Sequence, residues 1–270
     1  MNKKESFALA RKPSSAVEKA APSAKRILSG IVGDTLDLAR EKANKEVKVS
    51  DAQLENWFKT GVKYHFGQGV SKDNTEAVKW FRKAAEQNHV GAQFNLGICY
   101  EFGKGLEKNN VEAGKWYRKA AEQNHADAQF NLGCCYRDGQ GVEKDYAEAV
   151  KWFRQAAEQG NDGGQCGLGN CYYNGQGVEK DYVEAVKWFR KSAEQGNVYG
   201  QNHLGLRYEK GIGVPLNFVE AYKFFKLAAE QNLESAVKSL KQIATRMTAV
   251  EIAEGERRVR EFRSQKNLKK

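Results

Sequence analysis

The sequence predicts an all-α solenoid of about five 36-residue helix–turn–helix repeats, with a half repeat before them and a capping helix after them. Two observations favour this fold class. The segment 145–180 matches the following segment, 181–216, at 22 of 36 positions. Each unit also carries apolar residues at the i, i+3, i+4, i+7 spacing of an amphipathic helix. One helix pair cannot bury such a stripe alone, whereas stacked copies can.

The first half of each unit is a helix whose apolar stripe, in the unit at 145–180, is Ala149, Trp152, Phe153, Ala156 and Ala157. A capping box predicts its start, because each side chain of such a pair accepts a hydrogen bond from the other residue's backbone N–H. The pairs that start helices in this way are Asp73 and Glu76, Asn109 and Glu112, Asp145 and Glu148, Asp181 and Glu184, Asn217 and Glu220, and Thr248 and Glu251. The first five pairs lie 36 residues apart, and this fixed period sets the register of the repeats, whereas the pair at Thr248 starts the closing helix.

The second half of each unit is a helix with the pattern L-G-x-x-Y. Its glycine, Gly169 in the unit at 145–180, lowers helix propensity. We therefore expect a close helix crossing there that makes room for the Trp152 and Phe153 rings. Gly175 and Gly177 follow, and we expect them to turn the chain with positive φ angles.

The chain divides into three predicted segments. Residues 1–50 form a basic, partly disordered tail, in which an amphipathic helix at 23–42 either caps the first repeat or docks on another surface. Residues 51–246 form the repeat array, and its first part, 51–72, is the half repeat. Residues 247–270 form a capping helix and a second basic tail.

The net charge of +10 lies in the two tails. Residues 1–50 carry 11 basic and 6 acidic side chains, residues 51–240 carry 24 of each, and residues 241–270 carry 9 and 4. A neutral repeat body argues against a nucleic-acid-binding solenoid. The basic tails leave open a salt-dependent contact with nucleic acid or an anionic membrane surface. No apolar run approaches the ~20 residues of a membrane span, and the start has too short an apolar patch for a signal peptide, so we expect a cytoplasmic protein.

The five cysteines and four histidines do not suggest a metal or cofactor site. Cys99, Cys135 and Cys171 lie one repeat apart, and neighbouring helix pairs roughly 10 Å apart are too distant for a disulfide. We expect buried small hydrophobic side chains in a reducing compartment. His89 and His125 are also repeat equivalents, in the turn between helices, which favours a structural role. No pair of these residues has ligand spacing on one helix face, and we predict no metal and no cofactor.

The repeated pattern is A-x-x-W-F/Y-x-x-A-A-E-Q-G/N followed by A/G-Q-x-x-L-G-x-x-Y-x-x-G-x-G-V, over about 51–246. It resembles the Sel-like repeat family, a relative of the tetratricopeptide repeats. The segment RMTAVEIAEGERRVREF also resembles the tail helix that follows bacterial arrays of this kind. The resemblance implies a right-handed α-superhelix and non-enzymatic adaptor work in multiprotein complexes, often in signalling. It implies a protein or peptide partner whose identity, like the oligomeric state, stays open.

Laying the tetratricopeptide pattern on the chain implies that the L-G-x-x-Y helices line a concave groove. The predicted groove positions flank that motif: Phe58, Val62, His65, Phe66, Phe94, Ile98, Glu101, Phe102, Phe130, Cys134, Arg137, Asp138, Cys166, Asn170, Tyr173, Asn174, Asn202, Leu206, Glu209 and Lys210. They run from aromatic to polar and charged, which suits an extended or helical peptide with apolar anchors. The alternative is that they are ordinary solvated or partly buried positions.

A second functional hypothesis comes from cysteine-rich members of the family, which are linked to β-lactam binding or hydrolysis. Ser235 and Lys238 match S-x-x-K, and 59–61 matches K-T-G. The two matches lie at opposite ends of the array and in the wrong chain order, and no S-D-N is present. We therefore predict a protein without catalytic residues.

Overall fold

The computed structural model describes residues 49–268. The chain divides into two units, Met1–Ser50 and Asp51–Lys270, and every helix described here belongs to the second. The helix predicted at 23–42 lies outside the described residues. The boundaries proposed for the tails stay predictions.

Between residues 49 and 268 the chain forms twelve α-helices and no β-strand. The helices are α1 (Asp51–Phe66), α2 (Asn74–Ala85), α3 (Val90–Phe102), α4 (Asn110–Glu122), α5 (Ala126–Asp138), α6 (Tyr146–Glu158), α7 (Asp162–Asn174), α8 (Tyr182–Gln195), α9 (Val198–Lys210), α10 (Phe218–Ala229), α11 (Glu234–Ala244) and α12 (Ala249–Leu268). Helix α1 is the half repeat, α2 to α11 are five helix pairs, and α12 closes the array. The predicted right-handed solenoid is confirmed.

Each first-half helix starts at the predicted cap, but only half of the predicted capping box is formed. Asp145 Oδ1 accepts hydrogen bonds from the backbone N–H groups of Ala147 and Glu148 at 2.8 and 3.0 Å. The reciprocal bond is absent, because the Asp145 N–H donates to the Tyr136 carbonyl at 3.0 Å. The Glu148 carboxylate instead pairs with Lys151 at 3.2 Å. The prediction was wrong for this half because the preceding helix already supplies an acceptor.

The predicted apolar stripe is the core: Ala149, Trp152, Phe153, Ala156 and Ala157 are each at most 7% exposed. The expectation for Gly169 was wrong in its partner. A Cβ on Gly169 would lie 2.8 Å from the ring of Phe189 on α8, in the next unit. Each second-half helix therefore crosses closely over the ring of the following first-half helix, which joins one repeat to the next.

Two glutamines of the repeated pattern, one buried and one exposed, form a hydrogen-bonded ladder between units. Gln129, which is 1% exposed, donates to the Ala121 carbonyl at 3.2 Å and accepts from Gln159 of the next helix pair at 2.6 Å. The equivalent glutamine pairs are Gln93 and Gln123, Gln165 and Gln195, and Gln201 and Gln231. A buried amide needs such partners, and the exposed glutamine supplies one from the next unit.

The turn after each second-half helix uses glycine as predicted. Gly175 and Gly177 have φ angles of +70° and +72°. A Cβ on Gly177 would lie 2.2 Å from the carbonyl oxygen of Tyr146. Steric room and positive φ both require glycine at this position.

Helix α12 closes the array by packing on α10. Its predicted capping box is complete: the Thr248 N–H donates to Glu251 at 2.8 Å, and the Glu251 N–H donates to Thr248 Oγ1 at 3.3 Å. Val259 is 1% exposed, and the Tyr222 hydroxyl donates to Glu256 at 2.8 Å. The last repeat therefore buries its core under a helix whose other face is charged.

Candidate partner-binding groove

The odd-numbered helices form the inner layer of the solenoid. Helices α5, α7 and α9 each pack on the next odd-numbered helix, whereas no two of the even-numbered helices α2 to α10 pack on one another as extensively. In a superhelix the elements on the concave side come closest together. The L-G-x-x-Y helices, which carry the predicted groove positions, are those of the inner layer.

Aromatic stacks fill the first part of this layer. The Phe58 ring stacks on His89 with centroids 4.7 Å apart, and the Phe94 ring stacks on His125 at the same distance. Each histidine is also the N-cap of the next inner helix, and its Nδ1 accepts a backbone N–H bond at 3.1 or 3.3 Å. Both phenylalanines are half-buried because the chain itself supplies their ring partners.

Three predicted groove residues are also paired or buried within the chain. The Glu101 carboxylate accepts a hydrogen bond from the Tyr117 hydroxyl. The pKa of Tyr117 is raised, mainly by burial and to a smaller extent by this carboxylate. Glu209 pairs with Arg246 at 3.1 Å. Asn202 is only 9% exposed. The Glu101 and Glu209 side chains are therefore held by the chain, and Asn202 is buried with its Oδ1 unpaired among the described residues.

The other predicted positions differ in exposure. Phe66 and Phe102 are 65% and 62% exposed at the ends of α1 and α3. Asp138, Asn174 and Lys210 are exposed at the ends of α5, α7 and α9. The half-buried positions are Val62, His65, Ile98, Phe130, Cys134, Arg137, Asn170, Tyr173 and Leu206.

A pocket of about 570 Å³ lies in the inner layer between α5, α7 and α9. Predicted groove positions that line it are Phe130, Cys134, Arg137, Cys166 and Asn170. Its other lining residues were not predicted: Asp127, Asn161, Asp162, Gly163, Gly167, Asn197, Tyr199 and His203. The volume falls within the ~300–1,000 Å³ typical of ligand sites.

The pocket lies where the stacks end. Asn161 stands in the repeat position of the two stacked histidines, and it caps α7 without a ring. Phe130 keeps the position of the stacked phenylalanines, and a Cβ on Gly163 would lie 3.1 Å from its ring. One unit later Cys166 replaces the phenylalanine itself. Smaller side chains at these places leave the space that rings fill in the first units.

The charged groups of the pocket differ in whether they are paired. Arg137 binds its neighbour Asp138 at 2.7 Å, and this hydrogen bond holds the pKa of Asp138 below its usual value. Asp127 and Asp162 form no ion pair with any of the described residues. Asp127 accepts only a neutral hydrogen bond, from Asn161 Nδ2 at 2.7 Å. The free charge of the lining is therefore negative.

Two cysteines and a histidine of the lining are neutral. Burial raises the pKa of Cys134 to about 11 and that of Cys166 to about 12, so both are thiols at neutral pH. Burial and the nearby Arg207 lower the pKa of His203 to about 4, so its imidazole is uncharged. Neutral thiols act as small apolar walls rather than as nucleophiles.

Arg207, which lies beside His203, also departs from the repeat. It occupies the place of Cys99, Cys135 and Cys171, is 4% exposed, and its Nε and Nη1 have no partner among the described residues. Its guanidinium carbon lies 3.8 Å from the centroid of the Tyr173 ring. Burial lowers its pKa. An arginine without a carboxylate partner is unfavourable in such a place.

Most of the unpredicted pocket residues lie at helix starts, whereas Gly167 and His203 directly precede the L-G-x-x-Y motifs of α7 and α9. Two signals in the sequence could have found them. The cap position changes from His89 and His125 to Asn161, and the α7 sequence DGGQCGLGNCYYN is richer in small residues than its repeat equivalents. The first signal needs knowledge that the histidines are stacked, and that stacking is visible only in the structure.

The described residues contain no cluster suited to catalysis by a bound metal and no β-lactamase-like centre. No group of three or more His, Cys, Asp or Glu side chains among them could hold a metal ion. Ser235 and Lys238 lie in the last repeat helix, α11, whereas residues 59–61 lie in α1 at the other end of the array. Thr60 donates to the Asn56 carbonyl at 2.8 Å, and Lys238 pairs with Glu234. None of the helices within 49–268 has the length and apolar character that a membrane span requires.

Two of the solved structures that resemble this chain share more than a third of the aligned residues with it. A Sel1 repeat protein from Oxalobacter formigenes is 39% identical, covers 79% of this chain and 86% of its own, and superposes with a TM-score of 0.68. A protective antigen of uropathogenic Escherichia coli strains, described as displaying an SLR fold, is 39% identical over 77% of this chain with a TM-score of 0.66. The match covers 43% of the antigen, so this chain spans less than half of its length. No curated protein matches the sequence.

The Sel1 repeat family model matches five segments, 58–89, 90–125, 126–161, 163–197 and 198–233. Together they cover about two thirds of the chain. Each segment joins an inner helix to the first-half helix that follows it, which is the pair linked by the close crossing of glycine over a ring. With the glutamine ladder and the glycine turns repeating at the same period, the chain belongs to the Sel1 repeat family.

Proposed function

We propose that this protein is a non-enzymatic scaffold that binds a protein or peptide segment in the groove lined by its odd-numbered helices. The observation that carries the proposal is the pocket of about 570 Å³ between α5, α7 and α9, where five of the predicted groove positions meet. Helical solenoids commonly use their concave surface for binding. Adaptor work in a cytoplasmic complex, such as a signalling complex, is the finer form of this proposal. The resemblance to adaptor proteins and the five free thiols support it.

Exposed aromatic rings extend the proposed binding surface along the inner layer. Phe66 and Phe102 are repeat equivalents at the ends of α1 and α3, and each exposes more than half of its surface. Exposed large apolar side chains on a concave face suit a partner that buries them. A segment lying along the inner helices would meet these rings and the pocket in turn.

The direct test is selection of binders from a displayed library of random 12-residue peptides against the full chain. Selected peptides are then synthesised with a fluorescent label, and their Kd values are measured by anisotropy. The groove variant combines Phe66→Ala and Phe102→Ala. We expect a Kd at least ~10-fold higher, equal to about 1.4 kcal/mol, with an unchanged urea midpoint.

The matched control removes exposed apolar side chains from the outer layer. Val111 on α4 and Val183 on α8 are 51% and 56% exposed. The double variant Val111→Ala, Val183→Ala should bind the peptides as the wild type does. Equal weakening in both variants, or none in the groove variant, would place binding outside the groove and reject the proposal.

The proposal assigns no catalytic step to the chain. The motif matches that suggested β-lactam chemistry lie in α1 and at α11, which do not contact each other. Incubation with a chromogenic β-lactam should therefore give no turnover above the uncatalysed rate. Turnover lost in Ser235→Ala would establish the enzymatic alternative.

A further inference from the structure

We infer that the pocket receives an aromatic side chain of the partner segment, stacked on Phe130, with a basic residue beside it that pairs with Asp127 and Asp162. This inference rests on the proposed groove function and names the chemistry of the segment that the groove binds. It commits to a separate protein segment as the occupant. Internal precedent, available space and charge support it.

The precedent lies in the first two units of the chain. There a histidine ring stacks on the phenylalanine of the preceding inner helix, Phe58 with His89 and Phe94 with His125, with centroids 4.7 Å apart and planes at 26° in both cases. Two independent units thus show that this backbone places a ring against this face of the phenylalanine. Offset-stacked pairs of this kind contribute about 0.5–1.5 kcal/mol beyond their buried area.

The space exists in the third unit because the histidine ring is absent there while the phenylalanine on which it would stack is present. Phe130 is the repeat equivalent of Phe58 and Phe94, and Asn161 replaces the histidine. Beside it Gly163 has no side chain, and Gly167 stands where α9 has His203. Phe130, Asn161, Gly163, Gly167 and His203 line the pocket. A partner's aromatic ring can therefore take the place that the chain's own histidine fills elsewhere.

The charge beside this place selects a cation. Asp127 and Asp162 lie in the first turns of α5 and α7 and pair with no basic residue among those described. Arg137 is the cation of the pocket lining, and it is held by Asp138 through two hydrogen bonds of 2.8 and 2.7 Å. The uncompensated charge at the pocket is negative, so a Lys or Arg next to the aromatic residue is favoured over an acidic one.

The pocket can be closed by one substitution that introduces a residue already present at the equivalent position of two other units. Asn161→His restores the histidine of the first two units, where the same position caps the helix through Nδ1 and stacks on the phenylalanine. The substitution should therefore fill the ring place without unfolding α7. Asn161→Ser is the matched control, because serine caps a helix as well as asparagine does and leaves the space open.

The experiment uses the same random peptide library on the full chain. We expect the selected peptides to share an aromatic residue adjacent to Lys or Arg. Asn161→His should raise their Kd at least ~10-fold, whereas Asn161→Ser should change it less than ~3-fold. In the variant Asp127→Asn, Asp162→Asn, the preference for Lys over Glu beside the aromatic residue should fall at least ~5-fold.

Each other outcome overturns a defined part of the argument. Peptides that bind the groove but lack a shared aromatic residue, or that bind Asn161→His and wild type equally, reject the inference and leave the groove function standing. A library that gives no groove binder rejects the proposed function itself. Concentration-dependent self-association in sedimentation, lost in Asn161→His, would make a second copy of the chain the occupant and reject a separate partner.

Discussion

The inner layer has two parts that share a backbone and differ in what fills it. From α1 to α5, phenylalanine rings are covered by histidines of the next unit, Phe58 by His89 and Phe94 by His125. From α5 to α9, the equivalent histidine is an asparagine, and a pocket of about 570 Å³ takes the place of the stack. The comparison teaches that a repeat protein can create a site by removing a side chain from one unit.

The two parts also differ in how the core beneath them is built. Cys99, Cys135 and Cys171 hold one core place from α3 to α7, and Arg207 takes that place in α9, where its guanidinium is buried against Tyr173. The core of the first part therefore follows the repeat throughout, whereas the core of the second part departs from it at α9. Four predictions test whether this difference has the stated physical cause.

The largest expected effect is the loss of stability when a phenylalanine of the inner helices is replaced by alanine. Phe94→Ala should lower the free energy of unfolding by about 3 kcal/mol and Phe130→Ala by about 2 kcal/mol. Phe94 packs on both Tyr117 and His125, whereas Phe130 has a single ring partner, Phe153. Urea unfolding followed by circular dichroism measures both values. A larger loss at Phe130 would show that the second part is as tightly filled as the first.

The second prediction concerns pH and the neutral histidine of the pocket. The pKa of His203 is lowered to about 4 by burial and by Arg207, whereas an unfolded histidine has a pKa near ~6.5. Below pH ~6.5 the unfolded chain binds the proton and the folded chain does not, so stability falls as the pH drops from ~6.5 to ~4. We expect a loss on the order of 2 kcal/mol over this range.

The control for that prediction is His203→Asn, since Asn95 and Asn131 occupy the same place in earlier units. Urea midpoints of both proteins should be compared between pH 7 and pH 4. The part of the acid sensitivity that disappears in the variant belongs to His203. Identical pH profiles would mean that the buried imidazole is protonated in the folded state.

The third prediction concerns the buried arginine. Arg207→Ile should raise the free energy of unfolding by about 1 kcal/mol, because an apolar side chain replaces a buried charge without a carboxylate partner. The last repeat already has Ile243 at this place, fully buried. Thermal and urea unfolding measure the change. A destabilised variant would show that stacking on Tyr173 outweighs the desolvation of the guanidinium.

The smallest expected effect is the coupling between stacked rings. A double-mutant cycle with Phe94→Leu and His125→Asn should give a coupling energy of about 0.5–1 kcal/mol. The equivalent cycle with Phe130→Leu and Asn161→Ser should give a value near zero. Two cycles with equal coupling would contradict the claim that the stack is present in one part and absent in the other.

Much of the fold could be predicted from the sequence because it depends on local chemistry at a fixed period. The cap positions such as Asp145, the buried stripe around Trp152 and the turn at Gly177 need only neighbouring residues to be understood. The complete capping box of Thr248 and Glu251 is another example. Each follows from helix geometry and backbone sterics alone.

The predictions that were wrong involve a partner from another helix. Asp145 uses the Tyr136 carbonyl rather than the Glu148 side chain, and Gly169 makes room for Phe189 of the next unit. In both cases the predicted residue type is needed, but its partner lies in the adjacent unit. Periodicity identifies equivalent positions without saying which of two neighbouring units they face.

The sequence by itself determined the repeat, its register, its helices and the residues that form its core. Only the tertiary structure decided which inner positions are filled and which are open, because the ring that covers Phe58 or Phe94 comes from a histidine 31 residues later. As a helix cap, Asn161 in place of the histidine makes no difference, since asparagine and histidine both accept a backbone N–H bond at the start of the helix. Its consequence appears only when helices pack, because a side chain that caps one helix also fills the space against another.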